Sequence, residues 1–209
     1  MKKRSSIQAK NSRLLLHERS LNNSGYARIA GVDEAGRGPL AGPVVAGAVI
    51  LKGFKFKERI DDSKKLSSKK REKAYLEIMK KSIVGVGIID EKTIDKINIY
   101  QATKRAMQLA IANLKIPPDY CIVDGKMKIA TKCPLKCITG GDSKSLSIAA
   151  ASIIAKVTRD RIMVECDKLY PEYGFAKHKG YGTKAHVLAL ENHGPSPIHR
   201  RSFHPVKPY

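Results

Sequence analysis

Two adjacent acids, Asp33 and Glu34, lie in the string GVDEAGRGP at residues 31–39, where an apolar segment meets a glycine-rich turn. Asp124 in the tripeptide VDG and Asp142 in GGDSKS share that setting, each beside glycine and flanked by an apolar stretch. Carboxylates are costly in apolar surroundings unless something offsets their charge. Four of them make an all-oxygen cage suited to a hard divalent cation, Mg2+ or Mn2+. Two such ions roughly 3.5–4 Å apart can activate a water and stabilise the leaving oxygen of a phosphodiester. Taken alone, Asp33 and Glu34 also fit a solvated turn. Neighbouring strand residues point to opposite faces, so one of the two projects into a site and the other reaches it only if the backbone bends, as the glycines permit.

The elements that must position these acids follow from hydrophobic periodicity. Residues 27–33 and 44–51 are short, apolar and β-branched, with a turn rich in Gly and Pro between them, which predicts an antiparallel hairpin. An amphipathic helix is expected over 66–81, opened by serines, then a strand over 83–89 and a second helix over 100–114 that Pro117 and Pro118 end. A strand at 120–123 delivers Asp124. A long helix rich in Ala and Ile spans 147–169, a shorter one spans 183–192, and a tail rich in Pro, His and Arg follows. Strands alternating with helices in this order predict an α/β domain, a central mixed sheet flanked by helices with a helical C-terminal portion. Residues 1–25 read as a basic N-terminal arm, disordered or a short helix, and residues 26–209 as one catalytic domain with its basic tail.

Charge narrows the partner. The 209 residues carry 40 Lys and Arg against 19 Asp and Glu, a net charge of +21, which favours a polyanion. A solvated basic surface or an anionic membrane surface would also explain it. The longest apolar run, residues 43–51, is far short of a bilayer span, and the basic start has no long apolar stretch before a small-residue cleavage site, so a cytoplasmic protein without a membrane partner is expected. A basic, acid-poor leader also suits a transit peptide. Cys121, Cys133, Cys137 and Cys166 are few and irregularly spaced, as in a protein with reduced thiols; Cys133 and Cys137 offer half a zinc site without a second pair.

The strings GVDEAGRGPLAGPVVAGAVIL, DDSKKLS, VDG, GGDSKSLSIAAASIIAKVTRDR and YPEYGFAKHKGYGTKAH, in this order from about Ile29 to His204, resemble bacterial ribonuclease HII, the type 2 ribonuclease H family. The resemblance implies an RNase H-like fold and metal-dependent hydrolysis of RNA in RNA–DNA hybrids. It further implies incision 5′ of or at single ribonucleotides embedded in duplex DNA, leaving 3′-hydroxyl and 5′-phosphate ends. Carried over by position, Asp33, Glu34, Asp124 and Asp142 are similar to the family's catalytic, metal-binding acids. Gly36, Arg37 and Gly38 match the segment whose backbone grips the ribose 2′-hydroxyl, the group that distinguishes RNA from DNA. Tyr181 matches the tyrosine that stacks on the following deoxyribose.

Each assignment has a plainer counterpart. Arg37 could make an ordinary phosphate or acid contact, and Tyr181 could be a surface tyrosine in a turn. Lys64, Lys65, Ser143, Ser145 and Lys156 are expected at phosphate or substrate, or else as capping and solvated residues. Asp160 is kept out of the catalytic set, its simplest role being a salt bridge to Arg159 or Arg161. The histidines clustered late in the chain fit no compact zinc spacing and are expected to supply loop polarity or nucleic-acid contacts. A related nuclease of the integrase or resolvase type and a non-catalytic nucleic-acid-binding module are the competing readings. The first is disfavoured by the GRG and GYGT strings, and the second leaves the four acids unexplained. A monomer is expected, with the arm or tail as the segment through which a replication clamp could bind.

Overall fold

The structure, a computed structural model, describes Ile7 and residues 11–209. Its frame is a five-stranded mixed sheet. The strands are β1 (Ile29–Ala35), β2 (Val44–Leu51), β3 (Ser82–Ile89), β4 (Tyr120–Asp124) and β5 (Leu135–Ile138), in the order β3-β2-β1-β4-β5. β1 pairs antiparallel with β2, the expected hairpin, and parallel with β4, while β5 extends the parallel edge. β5 was not legible in the sequence because it is four residues long and carries the polar residue Lys136.

Helix α1 (Leu16–Asn23) precedes the sheet, and α2 (Ser68–Lys81) joins β2 to β3. α3 (Glu91–Ala112) follows β3, and α4 (Leu146–Leu169), a short α5 (Phe175–His178) and α6 (Lys184–His193) complete the C-terminal half. α3 starts well before the expected residue 100. Asp90 caps it by accepting from the Thr93 N–H, and the helix breaks at Asn98 (φ 64°), whose side chain accepts from the Gln101 N–H and restarts it. That break hid the first segment from a periodicity reading.

One face of the sheet is buried under α3, with Ala30, Val32, Val44, Ala46, Ala48 and Met107 among the contacts. The other lies under α4 and α2, where Val49 meets Ile78, Ala150 and Ile154. Each Val, Ile or Met among them contributes about 1.5–3 kcal/mol when fully buried. Contact between β1 and α4 is closest at Gly31, where an added Cβ would lie 2.2 Å from the Ser147 carbonyl carbon. The first turn of α4 therefore rests directly on β1, two residues before Asp33.

The N-terminal segment is docked from Asn11 onward rather than loose. Asn11 and Leu15 are buried, the Asn11 side chain bonds Glu58 and Ile60 backbone groups, and Glu18 of α1 is enclosed at the N-terminus of α4. Residues 1–6 and 8–10 of the expected arm lie outside the described residues. Among the described residues no helix is long and apolar enough to cross a membrane.

Candidate active site

β1 runs on through Asp33, Glu34 and Ala35, so the two acids lie within the strand rather than at its end, opposite Gly47 and Ala46 of β2. Asp33 shares the face of Gly31, toward α4, and Glu34 lies near enough to act on Asp33 and lines a cleft with Asp124. Parallel pairing of Val32 with Val123 places Asp33 beside Asp124, the last residue of β4. Asp124 is fixed by the Gly141 N–H, which donates to its Oδ1 at 2.6 Å. Gly141 opens the single turn Gly141–Ser143 that follows β5 and carries Asp142, so the strand that the sequence concealed delivers the fourth acid.

Asp33 is only 5% exposed. Burial raises its pKa well above the ordinary carboxylate value, and repulsion from Glu34, Asp124 and Asp142 adds to the effect. Burial also raises Glu34, opposed by Arg37, whose guanidinium lies 3.4 Å from it. Asp142 is raised by burial, then by Asp62 and Asp124, with Lys64 and Lys65 pulling the other way. Among the described residues no three Asp, Glu, His or Cys side chains are grouped so as to hold a metal ion as they stand. The quartet is an open cluster whose negative charge Arg37, Lys64 and Lys65 offset only at Glu34 and Asp142, and its all-oxygen donor set fits hard Mg2+ or Mn2+.

The turn after β1 depends on Gly36. Its φ of 95° is unfavourable for any residue with a side chain, and an added Cβ would lie 2.1 Å from Arg159 Nε. Arg37 and Gly38 are exposed beyond it. Glu34 and Arg37 line an open cleft with Asp124, Tyr100 and Lys126. Sequence reading missed the last two. Lys126 stands two residues after Asp124 and was within reach of that signal, whereas Tyr100 was visible only as a helix residue.

The other expected contacts divide. Lys64 and Lys65 are exposed on the turn Ser63–Lys65, which the Ser152 hydroxyl ties to α4 through Ser63, and both are near enough to act on Asp142. Ser143 is exposed, its hydroxyl donating to the Gly140 carbonyl. Tyr181 is 43% exposed, with Lys156 Nζ 5.7 Å and Arg159 Cζ 5.9 Å from its ring centre. Ser145 does not face a substrate: it is fully buried as the N-cap of α4, accepting from the Ile148 N–H and donating to Glu18. Asp160 pairs with Lys156 at 2.8 Å and lies 3.9 Å from Arg71, not with Arg159, which is buried, or Arg161, which pairs with Glu72.

The late histidines divide too. His186 and His199 are buried and His178 is half-buried, around Tyr173 and Phe175, whereas His193 and His204 are exposed. The Ser196 N–H donates to His199 Nδ1, which leaves His199 Nε2–H to donate to His186 Nε2 at 2.9 Å and His186 Nδ1–H to donate to the Tyr181 carbonyl. The chain of neutral rings thereby fixes the turn that carries Tyr181. Cys133 does not join Cys137 in a metal site; its sulfur lies 3.4 Å from that of Cys121, while Cys137 faces the Met127 carbonyl.

A family model for ribonuclease HII matches residues 30–206. A curated ribonuclease HII of Bacillus licheniformis is 58% identical over 191 residues, which is 91% of this chain and 74% of the relative. Among solved structures, ribonuclease H2 from Pyrococcus horikoshii is similar with a TM-score of 0.74 and 26% identity, covering 87% of this chain and 96% of that one. The RNase HII of Archaeoglobus fulgidus, described as a complex with PCNA, is similar with a TM-score of 0.71 and 26% identity, over 85% and 95%. The match runs through β1, β4 and α4, the elements that hold the acids, and on these grounds the chain belongs to the ribonuclease HII family of ribonuclease H endonucleases.

Proposed function

We propose that the protein hydrolyses the RNA strand of RNA–DNA hybrids and incises 5′ of or at single ribonucleotides in duplex DNA, leaving 3′-hydroxyl and 5′-phosphate ends. The observation that carries this reading is Asp33, buried among three further acids in a chain of net charge +21. Despite so many cations in the chain, burial and mutual repulsion still raise Asp33, Glu34 and Asp142 at one spot, which suits a site completed by divalent metal and a phosphodiester together.

Asp33, Glu34, Asp124 and Asp142 would hold Mg2+ or Mn2+, which supplies a nucleophilic water and charge stabilisation at the leaving oxygen. The remaining work falls to the chain. The turn at residues 36–38, exposed at Arg37 and Gly38, offers backbone groups to a ribose 2′-hydroxyl, which is both donor and acceptor. Tyr181 offers a ring face to the next sugar, and Lys64, Lys65, Lys156 and Ser143 are available to backbone phosphates. We further propose that it acts in the cytoplasm as a monomer, with a replication clamp as the partner class that the complex of the Archaeoglobus relative suggests.

The test is cleavage of a labelled duplex with one ribonucleotide, in Mg2+, Mn2+ or chelator, beside an all-DNA duplex. Metal-dependent incision only at the ribonucleotide is expected, and cutting of the all-DNA duplex would refute the reading. Asp124→Asn is expected to lose cleavage by several orders of magnitude while retaining hybrid binding, measured by fluorescence anisotropy.

A further inference from the structure

Arg159 on α4 and Arg200 in the tail are both fully buried. Among the described residues, every hydrogen bond their guanidiniums make goes to a backbone carbonyl. Arg159 donates to Pro43 (2.9 Å), Ala41 (3.0 Å) and Lys179 (2.9 Å). Arg200 donates to Gly42 (2.9 Å), Arg37 (3.0 Å), Pro39 (2.8 Å) and Gly36 (2.6 Å). Six carbonyls of residues 36–43 thus converge on two cations. Burying a cation with no carboxylate partner costs several kcal/mol before its hydrogen bonds offset the loss, far more than apolar packing of the same volume would.

What the arrangement achieves is geometric. With its carbonyls turned inward, the turn leaves its exposed donors outward: among the described residues the N–H groups of Arg37 and Gly38 donate to no acceptor within the protein. The same clamp reaches the second recognition segment. Arg159 holds the Lys179 carbonyl, the Leu40 N–H donates to the Gly180 carbonyl at 2.8 Å, and the Arg200 N–H donates to the Leu40 carbonyl at 2.8 Å. Arg159 also lies beneath the Tyr181 ring. Burial pulls Arg200 down to about 9, with repulsion from Arg159 next, so it stays charged at neutral pH.

We propose that Arg159 and Arg200 are positioning residues for substrate selection: a buried two-guanidinium clamp that holds the turn at residues 36–38 and Tyr181 at a fixed separation, so that the ribose and deoxyribose sides of a junction are read together. This rests on the activity proposed above. A uniform hybrid presents no ribose-to-deoxyribose step in its RNA strand and needs only the first of the two contacts.

The test compares kcat/KM for a duplex with one ribonucleotide and for a uniform RNA–DNA hybrid, in wild type, Arg200→Lys and Arg159→Lys. Lysine keeps the charge and loses the planar fork. The ratio between the substrates is expected to fall on the order of tenfold, since an ångström of misplacement is enough for that. Equal loss on both substrates by folded variants overturns the proposal. Should the lysine variants fail to fold, Phe203→Leu loosens the clamp more gently, because the Arg200 guanidinium lies 5.0 Å from that ring centre, and the same ratio decides. Hydrogen–deuterium exchange of the unliganded protein separates the two readings. If wild type cuts neither substrate, the activity reading fails alone, whereas unchanged exchange at residues 37–42 and 181 in Arg200→Lys overturns the clamp.

Discussion

Asp33 is held in the fold against a free-energy gradient, with burial and three neighbouring carboxylates all opposing its ionisation. Its folded pKa lies above the unfolded one, so its contribution to stability is present at low pH and is lost as pH rises through the folded value. Ionisation of this side chain is thus opposed by the folded state. Asp33→Asn is therefore expected to stabilise the metal-free protein by on the order of 1–2 kcal/mol while removing cleavage, in the manner of other active-site neutralisations. Urea denaturation in chelator checks the sign. Adding Mg2+ should raise the midpoint of wild type and not of the variant, because a ligand stabilises only the state that binds it.

At the scale of elements, the acids depend on how α4 is seated. Its N-terminus is closed by Glu18 from α1, whose Oε1 accepts from the Ser145 hydroxyl, the Ser147 hydroxyl and the Ser147 N–H at 2.6–2.9 Å. A carboxylate at a helix N-terminus satisfies orphan donors and meets the positive end of the dipole. Glu18→Ala is expected to cost about 1–3 kcal/mol by leaving those groups unpaired, a fall of several degrees in the thermal midpoint. None of this was legible beforehand. The sequence marks residues 1–25 as basic and polar, and a lone Glu among lysines and arginines carries no periodic signal. The acids themselves, the β1–β2 hairpin and α4 were legible because glycine, alternation and helical periodicity act locally. β5 and the first segment of α3 were not, because pairing at a sheet edge and a side-chain cap in mid-helix are decided by tertiary contacts.

The histidine chain belongs to the same scale. Burial, with His186 second, lowers His199 to about 4. A folded pKa below the unfolded value of 6.5 gives stability that is complete above about pH 6.5 and is lost as pH falls toward 4, by up to about 3 kcal/mol. Urea midpoints at pH 7 and pH 4.5 should differ accordingly, and the difference should shrink in His199→Gln. An unchanged slope in that variant would assign the acid sensitivity elsewhere.

Across the whole molecule, the net charge of +21 surrounds one acidic cluster. Affinity for a hybrid should come chiefly from phosphate neutralisation, so log Kd is expected to climb steeply with log salt. A fall in affinity on the order of a thousandfold between 50 and 200 mM is expected if about six phosphates are contacted. Fluorescence anisotropy across that range measures the slope, and a flat response would mean that the charge serves something other than binding. The charge excess and the ordered motifs made the family legible from sequence. The roles of Arg159 and Arg200 were not legible, because a buried arginine bonded to carbonyls is indistinguishable in one dimension from an arginine on the surface.

Arg200 is separated from Gly36 by more than 160 positions, yet it supplies the donor that fixes the Gly36 carbonyl. The turn at residues 36–43 thus acquires its shape only once the C-terminal tail has docked against it. Asp33 likewise gains its neighbour only when β4 arrives. A growing polypeptide therefore has neither an assembled acidic cluster before residue 124 nor an ordered recognition turn before residue 200. A chain cut short before residue 200 is therefore expected to lack the shape of this turn even where the sheet has formed.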